Sequence, residues 1–400
     1  MPASLLYHTN QITDIQVKNV EYFDSKIVFH ATFKPKKSSC LTCGHTDYRL
    51  DGMKKRNLRI APLGNKPSFL SLEIHRQKCI NCAQVWWPPI PFVRGKKRVT
   101  LSFECYVVNM MRFATIKHVA NFLGVSWGLI KNIHKDHLKR EYVGIDYESL
   151  EYIGVDEFSI SKGHEYMTIF INLDTGEILH AVEGKSIESV RPFLIDLAEK
   201  SKNLKAIAMD MNAAYASAVK LFLPNVDVVF DRFHVVGLLN TALEEIRRSQ
   251  QNKCNQVGLK VFKGCRFLLL SNYEKLNPKK QSSLRTLFEI NSPLLTAHTM
   301  KEQIRLFWTK TSVQEGCRFL GWWIMDAFET GIYEIEKAGR TLLRHWKGLT
   351  NYFKHKITNG KTEGINNKIK TMKRQAYGFR DMEYFKLRLY NLHTVNHSFV

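Results

Sequence analysis

The sequence predicts a multidomain chain of mixed α+β and α/β class: a cysteine-bearing β module, a helix-turn-helix, and an α/β core interrupted by a helical insertion. Three observations predict it. Two tight Cys-x-x-Cys pairs sit among alternating, β-branched runs before residue 95. A helix-turn-helix cadence runs from Ile116 to His134. From 149 to 240, short strand-like runs alternate with helical ones, and a mainly helical stretch follows. Four hundred residues exceed one simple core and suggest two to four domains, and a 44% hydrophobic content is ample to pack them.

Residues 1–95 read as a zinc-binding β module. Lys26–Phe33 and Phe69–His75 alternate apolar and polar positions, as half-buried strands do. Around them lie Cys40, Cys43, Cys79 and Cys82. Two such pairs can converge on one tetrahedral Zn²⁺, each bending its backbone so that both thiolates face one point. The 35 residues between the pairs exceed the usual ~15–20. Four unrelated buried cysteines are the plain alternative, and His45 and His75 are nearby substitutes if one cysteine is not a ligand. The role is structural, because four thiolates leave no open position for chemistry.

Trp86-Trp87-Pro-Pro-Ile-Pro marks a stiff exit, and 96–148 read as a helix-turn-helix domain. Val119, Ala120 and Leu123 would pack its first helix, Gly124 supplies the turn, and Ser126 can cap the second helix. Ile130 and Ile133 would bury the inner face. Trp127, Lys131, Asn132, His134 and Lys135 would face a DNA groove or backbone. An ordinary helical hairpin is the bland reading.

From 149 to 240 the order is three strands as a meander (Glu151–Asp156, Tyr166–Leu173, Glu177–Val182), a helix (Ile187–Lys200), a strand (Lys205–Met209), a helix (Ala213–Phe222) and a strand (Val226–Phe230). That is the order of a ribonuclease H-like core, in which the first and fourth strands lie side by side. Asp156 and Asp210 would then stand next to each other at the strand tips. Residues 241–349 read as helical, broken at Asn277-Pro278 and Asn291-Ser-Pro293, and interrupt the core. Residues 350–400 return to the core with a basic helix. Along it Glu363, Asn366 or Asn367, Lys370, and Lys373 or Arg374 recur at three- and four-residue steps, which one helix face collects. A solvated basic helix with a capping Glu is the bland reading, but Thr362-Glu363 makes no capping box.

Charge points the same way. Against 37 acidic residues stand 59 Lys and Arg, a net +22, and such a surplus suits a polyanion, most simply nucleic acid. The N-terminus lacks a secretory pattern and no run approaches the ~18 apolar residues of a membrane span, so a cytoplasmic, nucleoid-associated protein with reduced cysteines is expected. Asp156, Asp210 and Glu363 together are the oxygen ligands a hard cation needs to work against DNA phosphates.

At these residues the chain resembles the DDE transposases of bacterial insertion sequences, specifically the ISL-three family. The resemblance runs nearly end to end, through the Cys-x-x-Cys module with its Arg59-rich middle, the helix-turn-helix, Gly154-Val-Asp156-Glu-Phe, Met209-Asp-Met211, Phe230-Asp-Arg-Phe-His-Val235, Asn359-Gly-Lys-Thr-Glu-Gly-Ile-Asn366 and Lys373-Arg-Gln-Ala-Tyr-Gly-Phe379. It implies that Asp156, Asp210 and Glu363 are a catalytic carboxylate triad, and that the helical block is an insertion in the core. It implies that Asp231 and His234 are an Asp-x-x-His signature that binds the DNA end or shapes the site. A packing role for His234 stays open, and Asp231 is the main rival for second metal ligand.

Two Mg²⁺ (or Mn²⁺) ions about 3.5–4 Å apart make a water nucleophilic and stabilise the leaving 3′-oxygen. Asp156 would bridge both, Asp210 hold one and Glu363 the other. The zinc module and helix-turn-helix would recognise terminal inverted repeats. Asn366, Lys370, Lys373 and Arg374 would hold phosphates of repeat and target DNA. Working on two ends implies a homodimer or larger assembly. The rivals are a catalytically inactive zinc and helix-turn-helix regulator and a hydrolytic nuclease without strand transfer. A tyrosine or serine recombinase is disfavoured, since no Arg/His/Tyr or N-terminal Ser framework accompanies the acids.

Overall fold

The computed structural model describes residues 2–35, 39–40, 42–161, 165–256 and 265–392. Parts of the helical block (257–264) and of the last segment (393–400) therefore lie outside the described residues. Two compact units divide the chain: one holds residues 1–143, the other Gly144–His393.

The first unit opens with α1 (Pro2–Asn10), then β1 (Ile15–Tyr22), β2 (Ile27–Phe33), β3 (Tyr48–Leu63), β4 (Lys66–Cys79) and β5 (Val85–Trp86). Strand order is β1-β2-β4-β3, with β5 paired to β4. β3 and β4 form a long antiparallel hairpin that turns at Gly64, whose φ of +60° suits a residue without Cβ. Along β4, Ser68, Leu70, Leu72 and Ile74 are buried at every second position. Leu70, Leu72 and Ile74, with Phe29, Ala31, Phe33, Leu58 and Ile60, form the sheet's apolar face.

The same unit continues with α2 (Leu101–Met110), α3 (Ile116–Leu123) and α4 (Trp127–Glu141). α3 ends at Gly124 in the left-handed region, and the Ser126 hydroxyl accepts from Leu129 N at 3.2 Å to start α4. Val119, Ala120, Leu123, Ile130 and Ile133 are all buried, with Phe103 and Val107 of α2. His134 is buried too, so it does not join the exposed face where the spacing put it. Arg59 of β3 fastens sheet to helices: its guanidinium donates to Leu123 O at 3.0 Å and stacks 4.6 Å from the Phe69 ring.

The second unit holds β6 (Tyr152–Ser159), β7 (Tyr166–Asn172), β8 (Ile178–Glu183), α5 (Ile187–Lys200), β9 (Ala206–Met209), α6 (Ala213–Phe222) and β10 (Asp227–Phe230). Its sheet has the order β10-β9-β6-β7-β8; β6, β7 and β8 are antiparallel, while β9 and β10 run parallel to β6. β6 was expected to end at Asp156 but continues to Ser159, because pairing with β7 persists to Ser159↔Tyr166. Its pairing with β9 stops earlier, at Gly154↔Ala208.

Helices follow: α7 (Arg232–Gln256), α8 (Arg266–Leu270), α9 (Pro278–Ile290), α10 (Ser292–Ile304), α11 (Val313–Glu329), α12 (Tyr333–Arg344), α13 (Trp346–Thr350), α14 (Tyr352–His355), α15 (Gly360–Ala376) and α16 (Met382–Tyr390). α7 starts at Arg232 and crosses position 240 without a break. The two Pro breaks are helix starts: Asn277 caps α9 through Lys280 N, and Asn291 caps α10 through Leu294 N.

The pleat of β7 explains the layers. Phe170 points to one face, packing with Phe193 and Leu194 of α5 in a core that extends into the helical block. Met167, Ile169 and Ile171 point to the other face, against Ile365, Ile369 and Met372 of α15 and Phe385 and Leu389 of α16. α15, far along the chain, thereby reaches β6. No helix among the described residues is long and apolar enough to cross a membrane.

Candidate active site and metal centre

β9 and β10 end at the same level, with Met209 paired to Phe230. Asp210 and Asp231 are the next residues on each strand, and Asp231 N donates to Met209 O at 3.0 Å. Continuing the β6–β9 register two steps past Gly154↔Ala208 sets Asp156 level with Asp210. Asp156 within β6, and Asp210 and Asp231 just past β9 and β10, thus lie toward the same end of the parallel strands. Asn212, two residues past Asp210, caps α6 by accepting from Ala214 N, which stops the chain directly beyond the acid.

Burial sets the charges. It pushes the Asp156 carboxyl up to about 6, against a 2.7 Å hydrogen bond from Glu157 N, and the Asp210 charge adds to the rise. Asp231 is also raised by burial, opposed by the Phe233 amide and by His234. His234, in the first turn of α7, sits with Nε2 2.6 Å from Asp210 Oδ1; that bond raises its pKa against its own desolvation.

α15 comes to β6 at a point where no side chain stands in the way. A Cβ on Gly154 would lie 2.5 Å from Thr362 Oγ1, 2.8 Å from Leu173 Cδ2 and 2.9 Å from Asn359 Oδ1. The missing Cβ lets Asn359, just before α15, donate from Nδ2 to Val155 O at 3.3 Å. One helical face then follows the strand: Asn366 Nδ2 donates to Asp156 Oδ2, and Lys373 Nζ to Ser159 O. Lys361 Nζ donates to Leu173 O at 2.6 Å and Asp174 O at 2.9 Å.

The two choices open in the α15 stripe fall out of this packing. Asn366 is only 6% exposed and bonds Asp156, while Asn367 is exposed. Lys373 turns to β6, while Arg374 stays outside. The exposed stripe is therefore Glu363, Asn367, Lys370 and Arg374. Glu363 shares the first turns of α15 with Thr362 and Asn366 but faces solvent. Asp156, Asp210 and Glu363 do not all lie within 4.8 Å of one another.

The four paired cysteines do. Among the described residues, Cys40, Cys43, Cys79 and Cys82 are the group of His, Cys, Asp or Glu whose ligand atoms fit within that distance. Cys40 and Cys43 come from the loop before β3, Cys79 ends β4, and Cys82 lies in the turn to β5. The hairpin register, Tyr48↔Cys79, brings loop and strand end together across the 35-residue gap. Sγ separations of 3.4 Å (Cys40–Cys82) and 3.6 Å (Cys43–Cys79) close the cluster. The Cys43 amide lowers the Cys40 thiol to about 6. Cys82, although the Gln84 amide donates to it, is raised to about 12 by crowding with Cys40 and Cys43. Neither His45 nor His75 belongs to the group. Four soft donors so arranged can hold a metal ion.

On α4, Trp127 and Asn132 are exposed, and Lys131 Nζ lies 5.5 Å from the Trp127 ring. Lys131 and Lys135 are half-buried. Residues that sequence reasoning missed are Gly154, Asn359 and Thr362, which bring helix and strand together. The Tyr215–Thr168 pair (3.0 Å) beside Glu157 was missed as well. The glycine before Val155-Asp156 was the one available signal.

A family model described as "Transposase", of the ISL3 type, matches residues 153–389. The chain belongs to the ISL3 family of transposases. A second model, "Helix-turn-helix domain of transposase family ISL3", matches residues 88–138 of this transposase, over α2 to α4. The chain is 27% identical over 354 residues to the transposase for insertion sequence element IS1001 of Bordetella parapertussis, covering 88% of this chain and 87% of that one. To the transposase for IS1557 of Mycobacterium tuberculosis it is 23% identical over 402 residues, covering 92% and 89%. Among solved structures, the Drosophila P element transposase strand transfer complex matches with TM-score 0.38 and 10% identity over 73% of this chain and 91% of that one. The transposase thus carries a DNA-binding helix-turn-helix in its first unit and the family's transposase region in its second.

Proposed function

We propose that this transposase cuts and joins DNA at Asp156, Asp210 and Glu363, in a ribonuclease H-like core that needs a divalent metal. One observation carries the reading: Asp210 directly follows β9, the parallel neighbour of β6, its charge acts on Asp156, and the helix bearing Glu363 bonds directly to Asp156. The strand order β10-β9-β6-β7-β8 supports the fold. The donor set fits a hard cation: carboxylates toward one end of the parallel strands, with Asp156 desolvated enough that a positive partner would favour its ionised form. Asp156 and Asp210 would hold Mg²⁺ or Mn²⁺, with Glu363 closing the set from α15. Bound metal would supply an activated water and a stabilised leaving oxygen. Asn366 would keep the Asp156 carboxylate aimed. His234, its Nε2 bonded to Asp210, would hold that carboxylate in place.

The same reading gives Zn²⁺ to Cys40, Cys43, Cys79 and Cys82 as a structural ion, and the recognition of terminal inverted repeats to the first unit. Trp127, Lys131, Asn132 and Lys135 would face DNA there; Lys370 and Arg374 would clamp phosphates beside the acids. Asn366 and Lys373, turned to β6, would instead support the site. A cytoplasmic, nucleoid-associated protein acting as a dimer or larger assembly on two ends completes the reading.

Asp231 favours a second assignment of the metal ligands, because it is buried at the same end of the parallel strands as Asp210. The test is a cleavage assay on the element's terminal repeat with Mg²⁺ or Mn²⁺, comparing wild type, Asp156→Ala, Asp210→Asn, Asp231→Asn and Glu363→Gln. Metal-dependent nicking lost in Asp156→Ala and Glu363→Gln, with gel-shift binding kept, is expected. Activity that survives Asp210→Asn but not Asp231→Asn would move the second ligand to Asp231. Cleavage that survives Asp156→Ala would overturn the site altogether.

A further inference from the structure

α11 buries Gly316, Leu320, Trp323, Ile324 and Ala327 against the second unit's core. Its outer face is apolar as well. Trp322 is 61% exposed and Met325 59%, one turn apart, and Phe328, 40% exposed, continues round toward Arg340, whose guanidinium lies 6.0 Å from its ring. Contiguous exposed apolar side chains of this size mark an interaction surface. Charges frame it. Arg318 stands one turn before Trp322 and Asp326 one turn after, both exposed and, among the described residues, neither in an ion pair. Nearby arginines do find acids: Arg340 pairs with Glu336 and Arg305 with Glu302, each at 2.6 Å. Arg318 and Asp326, eight residues apart, lie about 12 Å apart along the axis and cannot meet within one helix.

We propose that this face pairs with the same face of a second copy, α11 lying antiparallel to its partner across a two-fold axis at Trp322. In such a contact residue i meets j and j meets i. Arg318 and Asp326 are equidistant from Trp322, so Arg318 meets the partner's Asp326 and Asp326 the partner's Arg318. Two complementary ion pairs then flank a centre of stacked Trp322 rings and Met325, the residue types that dominate interface energetics. The symmetry also sets Glu315 opposite the partner's Glu329. That repulsion falls at the ends of the contact, open to screening, and Glu315 is turned back onto Thr311 N (3.0 Å) and Oγ1 (2.9 Å). DNA is a poor occupant, because Val313 to Arg344 holds five acidic against four basic residues in a chain of net charge +22.

The test is sedimentation equilibrium of the full-length transposase without DNA, at micromolar concentration. Wild type is expected to dimerise. Arg318→Asp and Asp326→Arg singly should each weaken the dimer roughly tenfold or more. The double variant should recover it, because the exchanged charges again face each other across the axis. Trp322→Ala should leave monomers. Unchanged circular dichroism and melting at these exposed positions separate lost pairing from lost folding. A monomeric wild type, a dimer indifferent to the single changes, or a double variant no better than either single would each overturn the proposal. In those cases another part of the chain or a different protein covers the stripe.

Discussion

At the scale of single residues, Asn366 shows how a polar side chain is committed by its surroundings. It is buried, and its amide bonds an aspartate that is itself desolvated. Removing it leaves Asp156 Oδ2 short of a donor in a place water reaches poorly, at a cost of ~1–3 kcal/mol. Asn366→Ala should therefore lower the unfolding midpoint of the metal-free protein. The loss should shrink in an Asp156→Ala background, where no carboxylate needs the amide. A double-mutant cycle in denaturant measures this, and additive losses would mean that the two side chains do not act on each other. Nothing in the sequence separates Asn366 from Asn367. Periodicity places both near one face, and only the approach of α15 at Gly154 decides which is buried. Asp156 and Asp210 were legible because apolar runs led to them. Thr362 and Asn359 were not, since a buried polar residue leaves no hydropathy signal.

At the scale of elements, local chemistry carried the reading furthest where it was self-sufficient. The helix-turn-helix needs a glycine, a cap and five apolar positions, all within one short stretch, and each does what its type suggests. Ser126→Ala removes the bond to Leu129 N and should cost about 1 kcal/mol of stability. Trp127→Ala, at a 52% exposed position, should leave melting unchanged yet weaken binding to repeat DNA in a gel shift. A variant of Trp127 that loses stability as much as binding would make that ring a packing residue. Elements fixed by distant partners were harder. β6 runs past Asp156 because β7 pairs with it there, and α7 passes through position 240 because its apolar positions join the same core as the sheet. His134 has the polarity of a contact residue but lies within the turn that α4 buries.

At the scale of the whole molecule, two units with separate cores make separate stabilities. The first has a small sheet whose far end carries Cys40, Cys43, Cys79 and Cys82, and a core of that size would gain much from a metal staple there. The second has a core running from Leu150 to Phe353, with no cysteine cluster among the described residues. Stripping metal with a strong chelator should then melt the first unit at lower temperature and leave the second where it was. In calorimetry one transition should move and one stay, with the moved one restored by added Zn²⁺ but not by Mg²⁺. DNA binding should fall with it, since Arg59 joins the sheet to the Leu123 carbonyl at the turn of the helix-turn-helix. Cys79→Ser should reproduce the chelated protein without chelator. Two transitions shifting together would mean that the units do not unfold independently, and two transitions that ignore the chelator would leave the thiols as ordinary buried cysteines.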